Sequence, residues 1–411
     1  MPSPEITTNY RTSDGVDLGK TLVSKDYLIS VYPQIANQII TPELWVWGSN
    51  SRGGLGDNQS NNNICTPVTT FPGGSNWKVV GSGAGNATGC VAIKTDGTLW
   101  TWGNSFAGQL GDNTAPSFGK STPVTTFAGG TNWKQCSSGG YITAAIKTDG
   151  TLWVWGGGTG KSLGNNQSNN NICTPVTTFA GGTNWKQVHV GGSSMAAIKT
   201  DGTLWTWGAG GSGQLGDRAF SSRLTPITTS AGGTNWKQVS VGGNYMAAIK
   251  TDGTLWTWGR SSEGQLGNNN DTVNSGGATP VTTFAGGTNW KQLSAGTDHT
   301  AAIKTDGTLW TWGLGTFGRL GDNTTTSKST PVTTFAGGTN WKQVSCGDRF
   351  TAAIKTDGTL WTWGNNPFGQ LGDNTITSKS TPVTTFAGGT NWKQVSACGA
   401  IAAAIKTVDY I

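Results

Sequence analysis

Two histidines, six cysteines and twenty-one acidic side chains are all the chain has for acid–base, thiol or metal chemistry, and their spacing offers little to a catalytic centre. His189 falls where other copies of an internal repeat carry Ser, and His299 falls in a turn that changes from copy to copy, so neither reads as half of a metal or general-base pair. The cysteines form no Cys-x-x-Cys. Cys65 and Cys173 share one repeat position while Cys90, Cys136, Cys346 and Cys398 are scattered, which points to free thiols rather than a zinc site or a disulfide framework. Asp57, Asp112, Asp217, Asp322 and Asp373 recur after Leu-Gly, but Asn165 and Asn268 replace them in two copies and no Glu follows at calcium-loop spacing; turn geometry accounts for both residue types. No GxSxG, HExxH or GxxxxGK[ST] occurs. The expectation is a protein that is not an enzyme and uses no metal or cofactor.

What remains is recognition chemistry. Tyr141, Tyr245, Phe350, Phe106, Phe317 and Phe368 occur with Arg349, Arg319, Asp298, Asp348 and His299 in segments that differ between copies. Aromatic side chains beside arginine are the residue types that dominate binding hot spots.

The elements that must position them come from the repeat. Its clearest copy is residues 341–391, WKQVSCGDRFTAAIKTDGTLWTWGNNPFGQLGDNTITSKSTPVTTFAGGTN, and the 21 tryptophans fall into seven such triplets. Four segments per copy, WKQVS, TAAIKT, TLWTWG and TPVTTF, are rich in Thr, Val, Ile and Trp and bounded by Gly, Asp, Asn or Pro, as short strands are. Asp-Gly between the second and third supplies the positive φ of a two-residue hairpin turn. Each copy is thus a four-stranded antiparallel meander. The repeat enters at Leu44 with a third strand and ends near Thr407 after a second strand, so residues 392–407 complete the sheet begun at residues 44–48 and 66–71. Such closure removes every unpaired edge, and the expected architecture is an all-β, seven-bladed β-propeller over residues 44–411 with an N-terminal arm at residues 1–43.

A meander puts the turn after the first strand and the loop after the third on one face. The other two links, Thr-Asp-Gly and AGGTN, lie opposite and hardly change; the first turns and long loops change nearly everywhere. Function concentrates on loops held by a rigid frame, so the variable face is expected to bind a protein or surface glycan, while residues 1–43 tether the ring to a larger assembly from the uniform face. The formal charge of +6 comes with fourteen repeat lysines spread evenly around the ring, which disfavours nucleic acid as partner. No signal peptide and no apolar run long enough for a membrane span is read.

TAAIKTDGTLWTWG followed by GQLGDN, at a period near fifty residues, resembles the repeat of the regulator of chromosome condensation family. The resemblance implies a seven-bladed propeller. That family includes an exchange factor for a small nuclear GTPase, secreted enzyme inhibitors, and bacterial and viral chains, so it leaves the function open. Near-identical copies, low charge and a short arm are similar in style to a bacteriophage structural protein, and the expectation is a tail or fibre component, on a virion or extracellular surface, displaying the variable face for host or subunit recognition. The alternatives are a secreted inhibitor-like propeller and an intracellular exchange-factor or chromatin-binding propeller.

Overall fold

Each copy folds as one antiparallel meander whose tryptophans meet between its strands. The computed structural model describes residues 40–70, 75–81, 83, 89–114, 117–157, 163–167, 171–178, 180–270 and 277–409; of the expected arm, all but residues 40–43 lies outside them. Seven four-stranded sheets result. Blades 1 to 6 begin at Trp77, Trp133, Trp185, Trp236, Trp290 and Trp341, and blade 7 begins at Trp392. In blade 6 the strands are Trp341–Cys346, Phe350–Lys355, Leu360–Gly364 and Lys379–Thr384, in that order across the sheet. Blade 7 is shared: Trp392–Cys398 and Ile401–Asp409 pair with Ile40–Gly48 and Ile64–Thr69. The pairing runs from Ile40 opposite Asp409 to Gly48 opposite Ile401, so the entering strand starts ahead of Leu44.

Each triplet is an aromatic cluster closed by a lysine. In blade 6, Trp341 meets Trp361 and Trp363 edge-on at 6.3 and 6.1 Å, and Lys355 Nζ lies 4.8 and 4.5 Å from the Trp341 and Trp361 rings. Each cation–π contact contributes about 0.5–1 kcal/mol at such half-exposed sites. Two of the three indole N–H groups in blade 6 find partners, Trp341 donating to Gly337 O and Trp361 to the Thr359 hydroxyl, each at 2.9 Å, while that of Trp363 has none. In blade 7 the triplet is assembled from both ends of the chain, with Trp392 against Trp45 and Trp47.

The core lies between blades. Ala301, Ile303 and Leu309 of blade 5 pack on Trp341, Val344, Ala353 and Trp363 of blade 6. Second strands are covered on both sides, which is why alanine fills them: Ala352 and Ala353 are inaccessible to solvent. Two hydrogen-bond systems tie neighbour to neighbour. On the first strands, Gln343 Nε2 donates to Val395 O and its Oε1 accepts from Val395 N, both at 3.1 Å, and Gln394 repeats the clasp with Val80 across the chain ends. Further out, Asn323 N donates to Ser380 O at 2.9 Å, and Asn374 N to Cys65 O at 3.0 Å, closing the ring. These asparagines sit at φ +65° and +61°, a region Asn tolerates, and Arg218 occupies the same position in its copy at +66°.

Two local expectations change. The Thr-Asp-Gly link is wider than a two-residue turn: Lys94 N donates to Thr98 O and Gly97 N to Lys94 O, each at 3.0 Å, with Gly97 at φ +80°. Glycine is needed there because the Thr131 carbonyl of the next blade would lie 1.9 Å from an added Cβ. The long loop, in turn, is only partly a surface element. Its Leu-Gly dips between blades, so that Leu320 is buried, its carbonyl accepts from the Thr311 hydroxyl at 2.7 Å, and Gly321 (φ +70°) faces the Trp363 indole of the next blade.

Candidate partner-binding face

First turns and long loops are stitched together on one face. Arg260 N donates to Asn244 O, Leu314 N to Asp298 O, and Asn365 N to Arg349 O, at 2.9–3.0 Å. On this frame the eleven sequence-predicted residues separate into an inward and an outward set.

Tyr245, His299, Phe350 and Arg319 face inward, a correction to their expected place on the surface. The first three open the second strands of blades 4, 5 and 6, and each ring lies against a turn glycine, Gly242, Gly296 or Gly347, where an added Cβ would come within 2.2–2.6 Å of the ring. All three are fully buried. Tyr245 Oη donates to His299 O of the next blade at 2.6 Å and lies 2.9 Å from the Thr300 hydroxyl. His299 Nε2 is 2.9 Å from Thr351 Oγ1, which donates to Arg319 O at 2.9 Å, so the imidazole is the Nε2–H tautomer with Nδ1 left without a hydrogen bond. Burial, and then the nearby Arg319 cation, hold its pKa well below 6.5. Arg319 is itself buried; Nε and Nη2 donate to Thr316 O and Oγ1 at 3.0 and 2.9 Å, and Nη1 reaches Asp348 O at 3.4 Å. Desolvation lowers the guanidinium pKa, and Asp348 and Asp298 oppose that shift.

The outward set rides on this frame. Asp298 lies 3.5 Å from Arg260, and burial raises its carboxyl pKa against the pull of Arg260 and Arg319. Asp348 is 3.5 Å from the exposed Arg349. Phe317, Phe368 and Phe106 are exposed at 44%, 40% and 38%, and Tyr141 at 50%. Phe317 holds φ +63° at its loop tip, a conformation that costs a non-glycine residue about 1–2 kcal/mol. The structure thus gathers Asp298, Asp348, Arg349, Phe317 and the buried four along blades 4 to 6; Phe368 is in the next long loop, and Tyr141 and Phe106 lie apart on blades 2 and 1.

Several surface residues escaped the sequence reading. Arg52 of blade 7 stacks its guanidinium 4.2 Å above the Phe106 ring of blade 1. Arg260 bridges Asp298 and Glu263, the latter at 3.7 Å. Phe220 and Ile376 are exposed in long loops. An apolar residue in an otherwise polar loop was the available signal for the last two; Arg52 and Arg260 are defined by neighbours far off in sequence. His189, outside this face, accepts from Val241 N at 3.1 Å through Nδ1, the role Ser240 plays toward Ala295 N, and desolvation lowers its pKa to about 4. The six cysteines are unpaired. Among the described residues no three His, Cys, Asp or Glu converge on a metal-sized site, and no helix is long and apolar enough to cross a membrane.

Known proteins share this architecture. The ultraviolet-B receptor UVR8 of Arabidopsis thaliana is 28% identical over 330 residues, spanning 79% of this chain and 73% of its own. Yeast RCC1 (Prp20), solved bound to Kap60, superposes with a TM-score of 0.77 at 18% identity, over 91% of this chain and 90% of its own. Human WBSCR16 gives the same TM-score at 19% identity, over 89% and 99%; at these identities the likeness speaks for the fold. Residues 96–146 match the regulator of chromosome condensation (RCC1) repeat, and residues 174–409, more than half of the chain, match the RCC1-like domain. With seven four-stranded blades and a shared closing sheet, the chain belongs to the RCC1-like domain family.

Proposed function

We propose that this propeller is a binding module that holds a protein partner on its variable face, along the arc of blades 4 to 6. The observation that supports it most is the pairing of outward groups, the exposed Phe317 and Arg349 and the half-buried Arg260 and Asp298, with a buried side-chain frame that fixes their positions. Anchors held rigid before binding lose little entropy on association. Protein rather than glycan is favoured because a structural neighbour, yeast RCC1, is solved with a protein bound. The phage-tail and virion setting is not carried into this reading, since the relatives named above come from a plant, yeast and human.

The test is a binding series. Proteins retained by the immobilised full chain are identified, and their affinity is measured for Arg349→Ala, Phe317→Ala and Arg260→Ala. At least one substitution should weaken binding by about 1–3 kcal/mol with an unchanged melting curve. A partner indifferent to all three but lost on changing Thr-Asp-Gly turns would sink the assignment to this face.

A further inference from the structure

The uniform face carries two exposed features that the scaffold does not need. The first is an apolar turn tip. In blade 1, Gly129 N donates to Thr126 O at 3.0 Å, closing a turn with Phe127 at its corner, and the turn recurs at Phe284, Phe335 and Phe386. These four rings are 65–67% exposed. Phe71 and Phe179 occupy the same sequence position but lie outside the described residues. In the remaining copy Ser230 makes the same turn, with Gly232 N to Thr229 O at 3.1 Å and its own N–H to Gly216 O at 2.7 Å, matching Phe127 N to Gly111 O. The turn therefore folds without an aromatic residue, and the phenylalanines face water with no packing role to explain them.

The second feature is charge. Lys78, Lys134, Lys186, Lys237, Lys291, Lys342 and Lys393 are exposed at the uniform-face ends of the innermost strands. With the seven Trp-capping lysines they make fourteen cations on this face, against eight acids there: six turn aspartates, Glu43 and Asp409. Elsewhere among the described residues nine basic side chains stand against eight acidic ones, so the excess of positive charge there is concentrated on the uniform face. Lysines spread evenly around the ring are still concentrated on one side of it.

We propose that the uniform face docks on an anionic lipid bilayer, with the phenylalanine tips entering the headgroup boundary and the lysines facing acidic headgroups. Exposed aromatics together with lysines are the combination interfacial binding uses. The near-identical repetition around the ring selects this occupant. A globular partner offers one asymmetric patch and would leave most of the equivalent tips unused, whereas a bilayer is laterally uniform and engages them together. A second copy of the chain would set one cationic face against another. Docking this way leaves the variable face pointing away from the membrane, so the proposal stands or falls independently of the partner face.

The experiment is co-sedimentation of the full chain with phosphatidylcholine vesicles and with phosphatidylcholine–phosphatidylserine vesicles. Partitioning is expected only with phosphatidylserine present and should weaken with salt. Changing Lys237, Lys291 and Lys342 to Glu should lower the partition coefficient by about a hundredfold at low salt. Replacing Phe127, Phe284, Phe335 and Phe386 with Ser should lower it by at least about tenfold, and Ser230→Phe, which adds a tip to a turn that already folds, should raise it about threefold or more. Melting curves confirm that each variant is folded. Equal binding to neutral vesicles, no binding to anionic ones, or binding unmoved by both phenylalanine changes and displaced by heparin overturns the proposal, the last outcome assigning the face to a soluble polyanion.

Discussion

Arg349 and Phe350 are adjacent in sequence and opposite in role. The arginine side chain is exposed; the ring beside it is buried against Gly347. Phe350→Ala should therefore cost about 3–5 kcal/mol in a denaturant melt, as truncating a buried aromatic does. Arg349→Ala should stay within about 0.5 kcal/mol, since exposed ion pairs contribute little. His189 and His299 add a pH effect whose sign is fixed by burial. Both have folded pKa values below 6.5, His189 at about 4, so above 6.5 folded and unfolded chains are alike neutral there. As pH falls below 6.5, the unfolded chain takes up protons that the folded ring refuses, and stability drops. The turn aspartates, with pKa values lowered from 3.8 by hydrogen bonds from Thr, act only in more acid solution. The expected outcome is a melting temperature that declines between about pH 7 and pH 5 and a flatter profile for His189→Ser with His299→Phe, the residue types other copies use. An unchanged profile in that variant would remove the histidines from the account.

Among the elements, the long loop departs most from its sequence reading. Length and variability suggest a surface loop, and its tip is one, but the Leu-Gly at its centre wedges two blades apart and leads to the Asn that bonds to the neighbouring fourth strand. Gly321 shows the constraint: φ is +70°, and a Cβ would come 2.6 Å from Trp363 Nε1. Gly321→Ala should lower stability by about 2–4 kcal/mol, combining a left-handed backbone with overpacking. The same substitution at Gly337, also at positive φ but with nothing within 4 Å, should cost less because only the backbone term remains. Comparable losses in thermal melts would show that the wedge is looser than its geometry implies.

For the whole molecule, the chain ends matter most. Deleting residues 392–411 removes two strands of blade 7, one Trp of its triplet and the clasps to blades 1 and 6, and should cost more than about 4 kcal/mol or abolish a cooperative melt. Deleting residues 1–39 leaves the whole Ile40–Gly48 pairing intact and should cost far less; equal losses would mean that the shared blade is not what closes the ring. That closure was readable in the sequence, because a repeat that starts at its third strand and stops after its second can bury its edges only by joining its ends. Blade number, strand order and the two faces were legible for a related reason: alternation and turn residues are local properties, copied seven times. What the strand-opening side chains touch was not local. Tyr245 fills the position that Ile142 fills two copies earlier, one residue after the exposed Tyr141, and it is buried beside Gly242 where the next blade offers the His299 carbonyl. The lysines likewise read as evenly dispersed along the chain, and became one basic face only when every blade presented the same end to the same side. Tertiary structure decided these points because the contacts that set them, between blades and around the ring, join residues some fifty positions or more apart.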